Sequence, residues 1–452
     1  MFTRNSIKNL TTGCLVLLVC LGKLVCPLKA SREVFSTSGP QDIKLKIIKD
    51  PNMNFLHAEL AIFYKNKNVN PAIRHLTMLN VFDEDVNQGG SGLLNTLKKL
   101  GNDFEVLDRP DYLLLKINFL QDRLPIFGQF LKGLYTYKTF SLKKFNYSVY
   151  NFWNLFLKSR DWKRNAAFQV AYQKLFPGHL LGNTLVVPGL ITRINLAQIR
   201  SFYQRTYTLR NSQLIVKGNM KTGIVLGSIS RVLKTLKKQE IKKRYTKAKF
   251  KINGGREVII YHINNNSPPE IYWFETIPPL NHKNHIPLRV LNDMLFSQPV
   301  GRLCQVNKGV RFPRVNKEVL NHEDVSVICN TVRLNYSDIE KFILLVDTER
   351  RKLKKITRRE YLDVKNYFCG RLKVNTRKFE NDVELERDFS LFESEESRLP
   401  SSFVRISQQV TYESLSSVSR HLNGGTIVIV GNANLIVRHL STLKPRVIRY
   451  IE

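Results

Sequence analysis

Residues 194–219 read INLAQIRSFYQRTYTLRNSQLIVKGN, and residues 412–432 read YESLSSVSRHLNGGTIVIVGN. In the first stretch Leu196, Ile199 and Tyr203 recur at helical spacing and form one apolar stripe, and a turn then leads into Gln213–Asn219, an apolar run closed by glycine. The second stretch has the same grammar. Leu415, Val418 and Leu422 share a helical face over Tyr412–Leu422, and Asn423-Gly424-Gly425 turns the chain into Thr426–Asn432, again closed by glycine. Gly218 and Gly431 stand 213 residues apart, close to half the chain, so the simplest organisation is two related halves of roughly 200 residues.

The seam falls where a duplication would put it. Lys234 to Lys251 holds nine Lys or Arg against one acid, Glu240, with no sustained apolar face, which reads as a solvated linker. The chain divides into 1–30, 31–233, a basic linker 234–256, and 257–452. In the first half, strands are expected at Phe55–Tyr64 and Asp111–Phe119, around a helix from Pro71 to Phe82, with helices at Phe127–Leu134 and through Tyr147–Leu175. The second half offers strands at Val258–Ile263, Glu270–Glu275 and Val325–Val332, and helices at Leu288–Leu295, Tyr336–Lys354 and Arg359–Asn375. Strand runs separated by helix pairs give an α+β class: each half a mostly antiparallel sheet with helices on one face.

Composition narrows the function. The 452 residues carry 71 Lys plus Arg against 37 Asp plus Glu, a net charge of +34, with 43% apolar residues. That is globular composition with enough length for real cores, and it excludes a disulfide scaffold, collagen or a multi-span membrane protein. The excess charge is spread thinly, often beside Asn, which reads as compositional bias before it reads as an evolved nucleic-acid surface. No helix–turn–helix, zinc-finger or RNP-type aromatic motif speaks for nucleic acid; an anionic membrane surface stays open as a partner. Of six cysteines, Cys14, Cys20 and Cys26 lie in the N-terminal apolar segment. Cys304, Cys329 and Cys369 show no C-x-x-C spacing and read as buried free thiols. Arg4 and Lys8 precede an apolar core from Cys14 to Leu21 and a small residue at Ala30, the form of a signal peptide cut near residue 30. Export to the periplasm is the expected destination, with an uncleaved anchor as the second reading.

Phe176-Pro177-Gly178-His179-Leu180-Leu181-Gly182 leads into the first repeat, where Phe202-Tyr203-Gln204-Arg205-Thr206-Tyr207 and Val216-Lys217-Gly218 follow. Upstream stands Leu97-Lys98-Lys99-Leu100-Gly101-Asn102. The second half has Val290-Leu291-Asn292-Asp293-Met294-Leu295 and then Gly301-Arg302-Leu303. In their order and spacing these motifs resemble the pitrilysin/insulinase family of inverted-zincin metallopeptidases. The resemblance covers nearly all of the chain after Ala30 and implies a clam-shell of two homologous α+β halves.

Active members of that family carry H-x-x-E-H, because two His one turn apart ligate Zn²⁺ while Glu activates its water. None of the nine histidines here sits in such a motif. Matched by the helix Pro71–Phe82, His75 takes the first ligand position, Met78 the base position and Leu79 the second ligand position. Neither Met nor Leu can do that work. No Glu occurs from Ser141 to Leu175, where the family's third ligand would come from, and the stretch has one acid, Asp161. No metal or other cofactor is therefore expected. His282-x-x-His285 has ligand-like spacing but lies in a Pro/Asn-rich loop without a neighbouring acid or Cys.

The resemblance implies a catalytically inactive subunit that pairs as a heterodimer with a zinc-bearing relative and helps to hold a peptide substrate. The candidate contacts are Arg302, Lys308, Arg311 and Phe312, with Phe312 where the family places a hydroxyl-bearing Tyr. Glu380 to Glu396 carries eight acids, opposed only by Arg387. It reads as an exposed loop, or as an electrostatic dock for a basic partner. The alternatives are an interaction scaffold without a peptidase role, a peptidase with unusual zinc ligands, and an anion binder using Lys234–Lys251 and Arg350–Arg359.

Overall fold

The structure, a computed structural model, describes residues 33–39, 42–64, 70–82, 93–101, 103–137, 140–158, 162–177, 179–182, 191, 193–236, 257–264, 266–306, 314–322, 324–375, 388, 407–419, 422, 425–443 and 445–449. The signal-like segment, most of the basic linker and all of the acid-rich stretch except Asp388 lie outside these residues.

The first half runs β1 (Glu33–Ser38), β2 (Lys44–Lys49), β3 (Leu56–Phe63), α1 (Pro71–Phe82), α2 (Leu93–Leu100), β4 (Phe104–Asp108), β5 (Tyr112–Phe119), α3 (Leu124–Tyr135), α4 (Leu142–Lys158), α5 (Trp162–Leu175), α6 (Leu196–Thr206), β6 (Ser212–Gly218) and α7 (Thr222–Leu233). The second runs β7 (Glu257–His262), β8 (Glu270–Ile277), α8 (His285–Phe296), α9 (Arg302–Val306), β9 (Asn316–Asn321), β10 (Ser326–Arg333), α10 (Ile339–Lys352), α11 (Arg358–Asn375), α12 (Tyr412–Val418), β11 (Thr426–Gly431), α13 (Ala433–Arg438) and β12 (Arg446–Arg449). Two six-stranded sheets result, in the orders β1-β2-β6-β3-β5-β4 and β12-β7-β11-β8-β10-β9. The ladders are mostly antiparallel; β2–β6, β7–β11 and β7–β12 are parallel.

The two glycine-closed strands that reveal the duplication occupy the same place in each sheet. β6 and β11 are buried along their whole length, which is why both read as near-continuous apolar runs. The helix before each opens with a capping box, Asn195 with Gln198 and Thr411 with Ser414, which satisfies the first free N–H groups. Glycine ends β6 for a packing reason: a Cβ on Gly218 would lie 2.5 Å from Leu56 Cδ2 and 2.7 Å from the Phe55 carbonyl. Bulk there would push apart β6 and the start of β3.

Each half has its own core between one sheet face and its helices, with Leu60, Leu115 and Leu214 central to the first and Ile271, Ile427 and Ile429 to the second. The helices are not confined to one face. Helix α5 precedes β6 in sequence, yet it packs on the opposite face of the second sheet, where Ala167, Ala171, Tyr172 and Phe176 meet Ile259, Phe274, Val327 and Val428. Alanines on that side allow close approach, and burying Tyr172 and Phe176 contributes roughly 1.5–3 kcal/mol each. Polar ties edge the contact: Lys174 to Glu257 at 2.8 Å, Lys163 to Ser267 Oγ at 2.9 Å, and Arg164 as a fork to both carboxylate oxygens of Glu318.

A buried chain of polar groups joins the halves beside α5. His322, just after β9, faces Asp111 through Nδ1 at 3.1 Å and Tyr172 through Nε2 at 2.9 Å. With Asp111 ionised, Nδ1–H donates to it and Nε2 accepts the Tyr172 hydroxyl proton. Burial, and next the Asp111 charge, push the Tyr172 hydroxyl well above its ordinary pKa, so it keeps that proton. The chain is a strut. Asp111 Oδ1 has no hydrogen-bond partner among the described residues, so His322 matters more to this carboxylate than a surface partner would. His322→Ala should cost about 1–3 kcal/mol and Tyr172→Phe about 1 kcal/mol in urea unfolding, and the double variant should cost less than their total. Strict additivity would show that the three groups do not act as one chain.

Candidate functional site

Helix α1 and helix α8 are each 12 residues long and begin 214 residues apart, at Pro71 and His285. They follow equivalent strands and face one another across a cavity of about 1030 Å³ between the halves. The first-half wall comes from α1, β4 with its turn into β5, and α5. The second-half wall comes from α8, β9 and α11. Both β4 and β9 end their sheets and line the cavity, and among the described residues no strand pairs with their outer edges.

His75 and Met78 line this space, whereas Leu79 belongs to the core of the first half. His75 stacks edge-on against Phe152 with ring centroids 5.0 Å apart, and its Nδ1 lies 3.6 Å from Asp108 Oδ2. Asp108 also accepts from the Tyr64 hydroxyl at 2.7 Å. Burial alone would raise the Asp108 carboxyl; His75, the Arg74 charge and Tyr64 outweigh it and hold the carboxyl below its ordinary value. His75 thus has a partner and a packing role. Among the described residues no group of three or more His, Cys, Asp or Glu converges as a metal site would require.

The same positions of the repeat carry different chemistry in the second half. An offset of 214 residues sets His75, Met78 and Leu79 against Arg289, Asn292 and Asp293, and all three of the latter line the cavity. Asp293 is 2% exposed and accepts from Lys317 Nζ and Arg371 Nη2, both at 2.5 Å. Asn292 and Asn330 exchange side-chain hydrogen bonds at 3.1 and 2.8 Å. Burial, outweighing the nearby carboxylates and aided by the Arg371 charge, pushes Arg289 down to about 10, so it stays cationic at neutral pH. Desolvation likewise lowers Lys317 against the pull of Asp293. Three cations therefore meet two carboxylates among the described residues, Asp293 and Asp388, on this wall.

Of the residues expected to touch a substrate, Arg302 falls elsewhere. Arg302 opens α9 and does not line the cavity. Its guanidinium forks onto Glu360 at 2.8 and 3.1 Å and donates to the Lys355 carbonyl at 3.0 Å, which fixes the start of the segment that follows. Lys308, Arg311 and Phe312 lie in that following segment, outside the described residues. Asp388, the described member of the acid-rich stretch, is not on an exposed loop. It is 7% exposed, lines the cavity and accepts from Asn321 Nδ2 at 2.8 Å. Cys329 and Cys369 are buried free thiols, as expected; Cys304 is half-buried, and burial pushes Cys329 up to about 12.

His282 and His285 do not converge. The His285 ring is fully buried, with Nδ1 on the Pro278 carbonyl at 2.9 Å and no partner for Nε2 among the described residues. Burial, then the Arg289 charge, lower it to about 3, against an unfolded value near 6.5. Between these values the unfolded chain binds the extra proton, so His285 makes the fold lose stability as pH falls from about 6.5 towards 3, at up to about 1.4 kcal/mol per pH unit. His285→Gln should flatten the pH dependence of unfolding over pH 6.5–4. An unchanged slope would mean the imidazole is protonated in the folded chain.

Residues 193–308, which run from α6 across the linker to just past α9, match the family model described as the peptidase M16 inactive domain. No curated protein matches in sequence. Among solved structures, a protease from Helicobacter pylori superposes with a TM-score of 0.73 at 14% identity, covering 88% of this chain and 99% of that one. A peptidase M16 inactive domain from Pseudomonas fluorescens gives 0.70 at 16% identity, with 92% and 100% covered. The periplasmic protease PqqL from Escherichia coli gives 0.70 at 14% identity, and this chain, 92% covered, spans 49% of that one. These are likenesses of fold between chains that share few residues, and they agree with the duplicated α+β architecture. Residues 193–308 thus match the peptidase M16 inactive domain, and the chain as a whole shares its fold with these M16-type structures.

Proposed function

We propose that this protein is a non-catalytic M16-type subunit that binds peptide and completes the chamber of a zinc-bearing relative. The observation that carries the reading is the cavity: it keeps two strand edges that are open among the described residues and a wall of polar groups while the catalytic-helix positions hold His75, Met78 and Leu79. Met78 cannot act as a base and Leu79 cannot ligate a metal, so hydrolysis by this chain alone has no water-activating group at that helix. An extended peptide can still add its backbone to an exposed edge, with alternate side chains directed into the cavity. Edges β4 and β9 are the two places for it. Arg302 then acts as an anchor at the start of α9, ahead of Lys308, Arg311 and Phe312 in the sequence, which remain the proposed contacts to peptide or partner.

Export to the periplasm accords with the basic, apolar, small-residue order of residues 1–30, and among the described residues no helix is long and apolar enough to cross a membrane. The test is metal analysis and peptidase assay of the chain freed of residues 1–30, alone and mixed with an H-x-x-E-H-bearing M16 relative from the same genome. No stoichiometric zinc, no cleavage alone, and chelator-sensitive cleavage in the mixture are expected. Stoichiometric zinc with cleavage alone would overturn the reading. A stable complex without cleavage would leave a scaffold instead.

A further inference from the structure

The acids and the cations of the cavity are not equally engaged. Asp108 is held by Tyr64 and His75, Asp111 by His322, and Asp293 by Lys317 and Arg371. Arg109 and Arg314 also line the cavity and have no ion-pair partner among the described residues. Arg109 is half-buried and Arg314 exposed. Around Asp293 three cations, Arg289, Lys317 and Arg371, meet two carboxylates among the described residues, Asp293 and Asp388, and burial weakens solvent screening there. The wall already accepts a carboxylate of the chain's own: Asp388 sits in the cavity against Asn321, within the electrostatic reach of Arg289. That carboxylate comes from the most acidic stretch of a basic protein.

We propose that the cavity selects acidic peptides, with carboxylate side chains of an extended segment seated against Arg289, Lys317 and Arg371, and with Arg109 and Arg314 drawing the segment in. This rests on the peptide-binding reading above and names its substrate class. Position within the repeat supports it. The helix that a zinc enzyme would use for metal faces, across the cavity, a helix whose equivalent positions are Arg289 and Asp293. The strand edges and the aromatic side chains of Phe152, Phe168 and Tyr367 on the walls suit an extended polypeptide better than a duplex of nucleic acid, which has no strand edge to pair.

Fluorescence anisotropy on the full mature chain tests it, using three end-capped fluorescein-labelled peptides of one length that differ only in carrying Glu, Gln or Lys at alternate positions. The Glu peptide should bind at least about tenfold more tightly than the Lys peptide at low salt, with the gap closing as ionic strength rises. The variant R109Q/R314Q, checked for unchanged circular dichroism, should weaken the Glu peptide about three- to tenfold and leave the Gln peptide as it was. Equal binding of all three peptides would overturn acid selectivity while leaving peptide binding in place. No binding by any of them, by the chain alone or in the mixture with the zinc-bearing relative, would overturn both. A single-stranded oligonucleotide of equal charge that competes as well as the Glu peptide would make the site a general polyanion surface and overturn the assignment.

Discussion

The packing of α5 on the second sheet is the constraint on which the rest of the molecule depends. Its alanines let the helix approach a sheet face that would otherwise present Ile259, Phe274, Val327 and Val428 to water. An apolar face of that extent requires a cover, and the cover comes from the other half of the chain. The helix then fixes where Arg164 and Tyr172 stand, and through them Glu318 and His322 beside β9. Both walls of the cavity are positioned by that one interface, so its geometry follows from packing of apolar side chains, with the polar chain Asp111–His322–Tyr172 setting the register.

The duplication was legible because it lies in the most buried elements. β6 and β11 are buried along their length and each ends in glycine, at Gly218 where a Cβ has no room and at Gly431 where it would be tight, so hydrophobicity and glycine together mark them in the sequence. Helix α1 was read with its observed limits, Pro71 to Phe82, because Pro suits a first helical turn and the apolar spacing is regular. The cavity strands were not legible. β4 reads FEVLD and β9 reads NKEVLN: edge strands, half-exposed, too short and too polar for a period-two pattern to stand out. The features that make these edges available to a ligand are the ones that hide them from pattern reading.

Site residues divide the same way. The loss of the zinc motif needs only residue identity, so His75, Met78 and Leu79 could be judged from the sequence. Arg289, Asp293, Lys317 and Arg371 are distant in sequence and meet only through the fold. The repeat did not mark them: the 213-residue spacing of Gly218 and Gly431 carries His75, Met78 and Leu79 to Leu288, Leu291 and Asn292, and only the observed helix starts, 214 apart, lead to Arg289, Asn292 and Asp293. Arg302 was placed among the substrate contacts by the family resemblance; what the sequence did not show is that Glu360 and the carbonyls of Glu349 and Lys355 accept from its guanidinium.

A two-fold repeat around a cavity places each helix position on the wall twice, once from each half. The two copies are free to diverge because their cores are separate: Leu76 and Leu79 of α1 pack in the first, Val290 and Leu291 of α8 in the second. On the proposed reading, with Met78 and Leu79 at the water-activating and ligand positions of α1, positive charge in the chamber comes from the cation cluster on α8, β9 and α11, on the opposite wall. That charge is fixed and cannot polarise a scissile carbonyl as a Lewis acid would, but it can hold an anionic side chain in place. On the same proposed reading, the divergence of the two walls leads from a chamber built for hydrolysis towards one built for retention.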